Sequence, residues 1–179
     1  KSNREAAFTY SGKIKNVNPI FDVFVPGLSI SKQTTFNGKV NMQRAEIETH
    51  FFTPWVYYKN ILSDSLALNA TDKNGSLLLD LNSSLIELSD SLSMKHVQIA
   101  ADSRKTRSQV TLSIRNDSTS TSRLRLNTEQ IFASGVTRFH ILPSDMFVQN
   151  QFWDVSPSSE TVFESSGIRF NSRAVSLDS

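Results

Sequence analysis

Asp72-Lys73-Asn74-Gly75 separates Leu66-Ala67-Leu68 from Leu77-Leu78-Leu79-Asp80-Leu81, and the reading of this stretch decides the fold class. Asn-Gly supplies two central residues that tolerate positive φ, as a tight two-residue hairpin turn requires. On either side of it leucines recur at every second position, Leu66 and Leu68 before the turn and Leu77, Leu79 and Leu81 after it. A period of two places them on one face of each strand, with the intervening residues on the other. The stretch therefore predicts an antiparallel pair with one greasy face and one wet face.

The same alternation extends in both directions. Phe8, Tyr10 and Ile14 share one parity, as do Phe36, Val40 and Met42; further along come Val97 and Ile99, then Val110, Leu112 and Ile114, Leu124 and Leu126, and Phe139 and Ile141. Ile168 with Phe170 and Val175 with Leu177 continue it to the end, and almost no apolar cluster recurs at helical spacing. Asn116-Asp117-Ser118 and Ser156-Pro157-Ser158 punctuate the strands with turn-forming residues. Only six glycines and five prolines occur, so strands connect to their neighbours as a meander, without the long crossovers of βαβ units. About fifteen strands at roughly 4.8 Å spacing would extend on the order of 70 Å. Leu62-Ser63-Asp64-Ser65-Leu66 recurs as Leu88-Ser89-Asp90-Ser91-Leu92, an offset of 26 that suggests a hairpin-sized repeat.

Composition excludes several classes of function. Nineteen Lys and Arg against seventeen Asp and Glu leave a net charge of +2, and the basic residues are scattered except for Arg104, Lys105 and Arg107, read as a solvated hairpin tip. That is a poor footprint for nucleic acid. With no cysteine there is no disulfide, thiolate metal site or Cys nucleophile. No apolar run reaches the roughly 18 residues of a membrane-spanning helix. Lys1 is not an initiator methionine, and Ala174 to Leu177 still alternate, so residues 1–179 are expected to form a single β-repeat segment of a longer protein.

Chemistry-bearing motifs are few. His50, His96 and His140 lie far apart, each on the polar parity of a strand, and no metal-ligand spacing occurs. The chain lacks a nucleophile elbow, a phosphate-cradling loop and a dinucleotide fingerprint. Glu46 with Glu48, and Asp64 with Glu87, are the carboxylate pairs available for acid/base work, and polar-face positions account for them. No catalytic residue, metal or cofactor is expected, and the chain reads as a non-enzyme. Phe51, Phe52, Trp55, Tyr57 and Tyr58 crowd around Pro54, and Phe147, Phe152 and Trp153 crowd later; these aromatics are expected in a core.

Two stretches carry a family resemblance. One runs from Asn18-Pro19-Ile20-Phe21-Asp22-Val23-Phe24-Val25-Pro26-Gly27-Leu28, read as a proline-marked strand, to Thr34-Thr35-Phe36-Asn37-Gly38. The other runs from Leu142-Pro143-Ser144 through Gln151-Phe152-Trp153-Asp154-Val155 to Gly167-Ile168-Arg169-Phe170. With the hairpins between them they resemble the TamB family, the translocation and assembly module component of diderm bacteria within the AsmA-like group of bridge-type lipid transfer proteins. The resemblance implies an all-β fold, an elongated curled antiparallel sheet (β-taco or half-pipe) with an apolar concave face. It also implies a periplasmic segment of an inner-membrane-anchored envelope protein that carries phospholipid between inner and outer membranes and supports outer-membrane protein assembly beside a barrel partner.

Under that reading phospholipid acyl chains lie on Leu77, Leu79, Leu81, Val97, Ile99, Val110, Leu112, Ile114, Leu124, Leu126, Phe139 and Ile141. Without the resemblance, the same periodicity fits a closed β-sandwich core equally well. The alternative function is accordingly a β-sandwich or β-solenoid adhesion or carbohydrate-binding module.

Overall fold

The computed structural model describes residues 7–89, 92–116, 122–133, 136–148, 151–155, 160–164 and 167–171. Its elements are β1 (Ala7–Lys13), α1 (Asn18–Phe24), β2 (Leu28–Ile30), β3 (Thr35–Asn41), β4 (Glu46–Tyr58), β5 (Ile61–Lys73), β6 (Ser76–Ser89) and β7 (Leu92–Arg104), followed by β8 (Arg107–Arg115), β9 (Ser122–Ala133), β10 (Val136–Ile141), β11 (Ser144–Val148), β12 (Gln151–Val155), β13 (Glu160–Glu164) and β14 (Gly167–Asn171). All the strands join one antiparallel, unclosed, curled sheet. Its main path runs β1-β3-β4-β5-β6-β7-β8-β9-β10-β13-β14; β2 pairs with β4, and β11 with β12 forms a branch on β9. Eleven strands at about 4.8 Å spacing make that path roughly 48 Å long, shorter than the sequence suggests because β2, β11 and β12 lie off it.

Among the described residues no second layer covers this sheet. Among the described residues the strands pack against their ladder neighbours, and α1 against β2. The sandwich alternative is thereby overturned. The apolar alternation is real, but no opposing sheet receives it. Accessible surface reaches 12569 Å², against about 8,700 Å² for a compact monomer of this mass. Of the described apolar side chains only Ile30, Val97 and Val162 are buried.

The deciding hairpin forms as its sequence dictates. Asn74 and Gly75 have φ of 55° and 72°, and Lys73 pairs with Ser76 to close β5 on β6. Arg104 and Arg107 close the β7–β8 hairpin. Of the 26-residue repeat, Leu62–Leu66 lies inside β5, Leu88 and Ser89 end β6 and Leu92 begins β7, while Asp90 and Ser91 lie outside the described residues. Asp117, Ser118, the Ser156-Pro157-Ser158 turn and the Ala174 to Leu177 alternation lie outside the described residues.

The Asn18–Phe24 stretch is a helix, not a strand. Pro19 sits in its first turn, where the missing N–H costs nothing and the fixed φ suits a helix. Ile20, Val23 and Phe24 then fall at i, i+3 and i+4, and all three are exposed.

Two irregularities shape the sheet. The first is a crease across four strands at Pro54, Ser65, Ser84 and His96, where ladder pairing lapses and then resumes in unchanged register. Proline lacks the N–H for that rung, and Ser65 and His96 adopt φ of 51° and 47°. Buried hydroxyls satisfy groups the crease frees. Thr53 Oγ1 donates to Trp55 O at 2.9 Å and lies 2.7 Å from Thr34 Oγ1, while Ser83 Oγ sits 2.8 Å from Asp64 O and 2.9 Å from Leu85 O. A buried carbonyl without a partner costs about 1–3 kcal/mol, which explains polar residues at three buried positions, Thr34, Thr53 and Ser83.

The second irregularity is a one-residue bulge at Leu142-Pro143. β10 pairs with β9 as Ile141↔Thr128, and β11 pairs with the same strand as Asp145↔Arg125, one residue out of step. The bulge is pinned by Leu142 N–H to Asn127 O at 2.9 Å and Asn127 Nδ2 to Pro143 O at 2.7 Å. Its effect is to move Met146 onto the parity already held by Phe139 and Ile141.

Candidate functional site

Directly paired residues of an antiparallel ladder point to the same face, so the register traces the apolar side across the sheet. One row runs Phe36↔Phe51↔Leu68↔Leu81↔Ile99↔Leu112↔Leu126, seven apolar side chains on seven consecutive strands, β3 to β9. A second runs Thr49↔Ala70↔Leu79↔Ala101↔Val110↔Thr128↔Ile141. A third, Ile47↔Asp72↔Leu77↔Ser103↔Ser108↔Gln130↔Phe139, is mixed. On the crease side lie Val97, paired with Ser83, and the ladder Ile114↔Leu124↔Met146↔Trp153. All twelve residues singled out from the sequence therefore share one face.

The result is an apolar stripe that runs across the strands rather than along them. The crease bounds it on one side: beyond it Trp55, Leu62 and Leu85 occupy one parity and Val56, Ile61 and Ile86 the other, so the alternation dissolves. The mixed third row bounds it on the other. Leu77 and Ile99 are exposed, Val97 is buried, and the other nine predicted residues are half-buried. The seven-strand row spans about 29 Å, roughly twice the acyl depth of one bilayer leaflet.

Phe36, Phe51 and Leu68 complete the first row but were not among the twelve. The alternation of Phe36 and of Leu68 was visible, and Phe51 was read with the aromatics near Pro54; their alignment with Leu81 and Leu112 depends on hairpin register, which parity within one strand does not give. At the β1 end of the stripe two aromatics lie over glycines across the ladder. The Phe36 ring occupies the space a side chain on Gly12 would need, and the Tyr10 ring the space over Gly38. Tyr10 Oη reaches Thr49 Oγ1 at 2.6 Å. The crowd around Pro54 is not core, since Phe52, Trp55, Tyr57 and Tyr58 are all exposed for want of a covering layer.

The opposite face is polar and internally bonded. His50 lies 2.7 Å from Asn69 Oδ1 through Nδ1 and 2.9 Å from Glu48 Oε1 through Nε2. Two acceptors favour the doubly protonated ring; the hydrogen bond to Asn69, then that to Glu48, holds its pKa above the usual histidine value. Glu129 is buried, which pushes its carboxyl up, but hydrogen bonds from Arg107 and Gln109 and the charges of Arg107 and His140 outweigh burial and leave it below the usual range. His140 stands 3.6 Å from Glu160. His96 departs from the expected plain strand position, because it sits at the crease with positive φ.

Neither carboxylate pair forms a cleft. Glu46 meets Lys73 at 3.6 Å while Glu48 meets His50. Glu87 borders a depression of about 730 Å³ with Tyr57, Leu62 and Ser93, and Asp64 does not line it. Among the described residues no three His, Asp or Glu converge as metal ligands, and no helix is long and apolar enough to cross a membrane.

Arg115, Arg123 and Arg125 gather with His96, Gln98 and Ser113 around a depression of about 260 Å³ that also touches Ile114 and Leu124. Asp145 receives Arg125 at 2.9 Å and Arg123 at 3.7 Å. No family model, curated protein or solved structure matches this chain.

Proposed function

We propose that this chain is a non-enzymatic hydrophobic groove, a section of a TamB-like periplasmic conduit that carries phospholipid between inner and outer membranes and supports outer-membrane protein assembly. The observation that carries the reading is the unbroken apolar row from Phe36 to Leu126 on a sheet with no second layer. Exposed contiguous apolar surface on a folded chain needs an occupant. The row's direction across the strands suits a long, thin apolar ligand, and the reading requires the stripe to lie on the concave side of the sheet's curl.

A methylene withdrawn fully from water contributes about 0.8 kcal/mol. An open sheet covers one side of an acyl chain, so roughly half of that is available per methylene, with the headgroup left in solvent. The Leu, Ile, Val and Phe lining offers sites of similar energy along its length. A lipid then moves between neighbouring positions without falling into a trap. The residues contribute surface and no bond-making chemistry. The barrel partner of outer-membrane assembly would meet a part of the protein other than this stripe.

The test is native mass spectrometry of the protein purified without detergent, then offered vesicles of phosphatidylethanolamine and phosphatidylglycerol. Phospholipid adducts that persist through gel filtration are the expected result. A lipid-free protein that takes up none, yet binds glycan through exposed Trp55, Tyr57 and Tyr58, would overturn the reading in favour of a carbohydrate-binding module.

A further inference from the structure

We infer that the arginine-lined notch between β7 and β8 is a headgroup site, which binds the phosphate of a phospholipid whose acyl chains lie on the apolar stripe; the inference rests on the groove reading. The β7–β8 ladder ends at Gln98↔Ser113, although β7 continues back to Leu92 and β8 onward to Arg115. The strands part there because His96, at positive φ, belongs to the crease. They meet again where Lys95 N–H donates to Asn116 Oδ1 at 3.1 Å. Between those two closures the ladder pairing has a gap, or eyelet, flanked by His96 and Val97 on one strand and Ile114 and Arg115 on the other.

The two sides of this eyelet differ in chemistry. Ile114 and Leu124 belong to the apolar face and Val97 stands beside them, while Gln98, Ser113, Arg115, Arg123 and Arg125 belong to the polar face. A depression lined by guanidinium groups that also touches Ile114 and Leu124 matches the join between acyl chain and phosphate in a lipid.

The charge arrangement points the same way. Arg115 pairs directly with Arg123 in the β8–β9 ladder, and like charges directly opposed across a ladder are destabilising. Asp145 holds Arg123 and Arg125, whereas Arg115 has no ion-pair partner among the described residues. The ladder places Asp154 opposite Asp145 on β12, beyond β11 from the notch. Among the described residues one carboxylate, Asp145, is bonded at this group of three arginines, and an anion between Arg115 and Arg123 would relieve their repulsion. Guanidinium forks match phosphate oxygens bidentately, and about 260 Å³ accommodates the group with its water.

The 179-residue chain is incubated with vesicles of phosphatidylglycerol or of diacylglycerol with the same acyl chains, diluted equally in phosphatidylcholine, and the lipid taken up is counted by mass spectrometry. Wild type is expected to prefer phosphatidylglycerol at least about ten-fold, one favourable charged contact by the affinity arithmetic. Arg115→Gln should bring the ratio close to one and Arg115→Lys should keep most of it. Arg138→Gln, which removes a positive charge on β10 outside the notch, should leave it unchanged. Equal uptake of both lipids by wild type would overturn the headgroup site and leave the groove standing, whereas uptake of no lipid at all, phosphatidylcholine included, would remove the groove reading itself. Saturable binding of inorganic phosphate that Arg115→Gln abolishes, without lipid preference, would assign the notch to free phosphate and likewise overturn the proposal.

Discussion

Replacing Leu112 by arginine separates an open stripe from a closed core. Leu112 is the sixth of the seven residues in the longest apolar row, paired with Ile99 on β7 and Leu126 on β9, and it is half-buried. Complete burial of a leucine is worth about 1.5–3 kcal/mol, so the half-buried side chain contributes roughly 1 kcal/mol. An arginine there lays its methylenes along Ile99 and Leu126 and lifts its guanidinium into solvent, since nothing packs above the sheet. The expected loss is about 1 kcal/mol, a fall in Tm of roughly 2–4 °C for a chain of this size. In a closed core the same charge would be buried and unpaired, at a cost of several kcal/mol. Phospholipid loading should nevertheless collapse, because the charge stands in the path. The assay is urea unfolding beside native mass spectrometry of the same sample. A loss above about 4 kcal/mol would refute the open sheet, and wild-type loading in a folded variant would remove Leu112 from the lining. Val97, buried at 6% exposure, gives an internal contrast: Val97→Asp should cost about 3 kcal/mol or more.

At the crease, Ser83→Ala removes the buried hydroxyl shared by the carbonyls of Asp64 and Leu85 and should cost about 1–2 kcal/mol by urea unfolding, more than the same change at exposed Ser84, whose hydroxyl reaches Asp64 O alone at 3.1 Å. Gly38→Ala puts a methyl against the Tyr10 ring and Glu48 O; the backbone oxygen cannot swing away, and a loss of about 1–3 kcal/mol is expected in the same assay. The raised pKa of His50 means its bonds to Asn69 and Glu48 stabilise fully below the unfolded value of 6.5 and fade as pH rises through the higher folded value. Urea midpoints at pH 6 and pH 8 should therefore converge in His50→Ala relative to wild type. Glu129 has the opposite sign: its lowered pKa contributes stability above 4.5 that is lost as pH falls through the folded value, so Glu129→Gln should flatten the acid limb of the stability profile.

Much of the sheet was legible because period two survives in most strands: Leu77, Leu79 and Leu81, or Val110, Leu112 and Ile114, specify a face without help from tertiary context. The Asn74-Gly75 turn was legible for a similar local reason. Three features were not. Helix α1 was hidden by the surrounding strand pattern, although Pro19 followed by Ile20, Val23 and Phe24 is a helical signature. The crease escaped because Ser65, Ser84 and His96 lie on different strands and align only through register. The arginine notch was likewise invisible: Arg115 and Arg123 stand on different strands, and only the ladder brings them and Asp145 together. The aromatics near Pro54 misled because large aromatics are usually buried, and a single-layer sheet has no interior to receive them.

A sheet with roughly 3,800 Å² more surface than a compact monomer lacks the usual source of stability, and this bears on how it behaves when empty. Its strands are held by ladder bonds, by polar-face pairs such as Arg107 with Glu129, and by the hydroxyls of the crease, none of which covers the row from Phe36 to Leu126. If that row is a lipid groove, occupancy should stabilise the fold by mass action, about 2.7 kcal/mol when free lipid is a hundred times its Kd. That corresponds to a rise in Tm of roughly 5–10 °C. Extraction of bound lipid should therefore lower Tm by a similar amount and promote self-association through the uncovered stripe, visible as a concentration-dependent shift in light scattering. Both effects should reverse when phosphatidylglycerol is returned, and both should be blunted in Leu112→Arg, which cannot load. An extracted protein that keeps its Tm and stays monomeric would mean that the stripe is stable facing water, and the argument for a resident acyl chain would lose its physical basis.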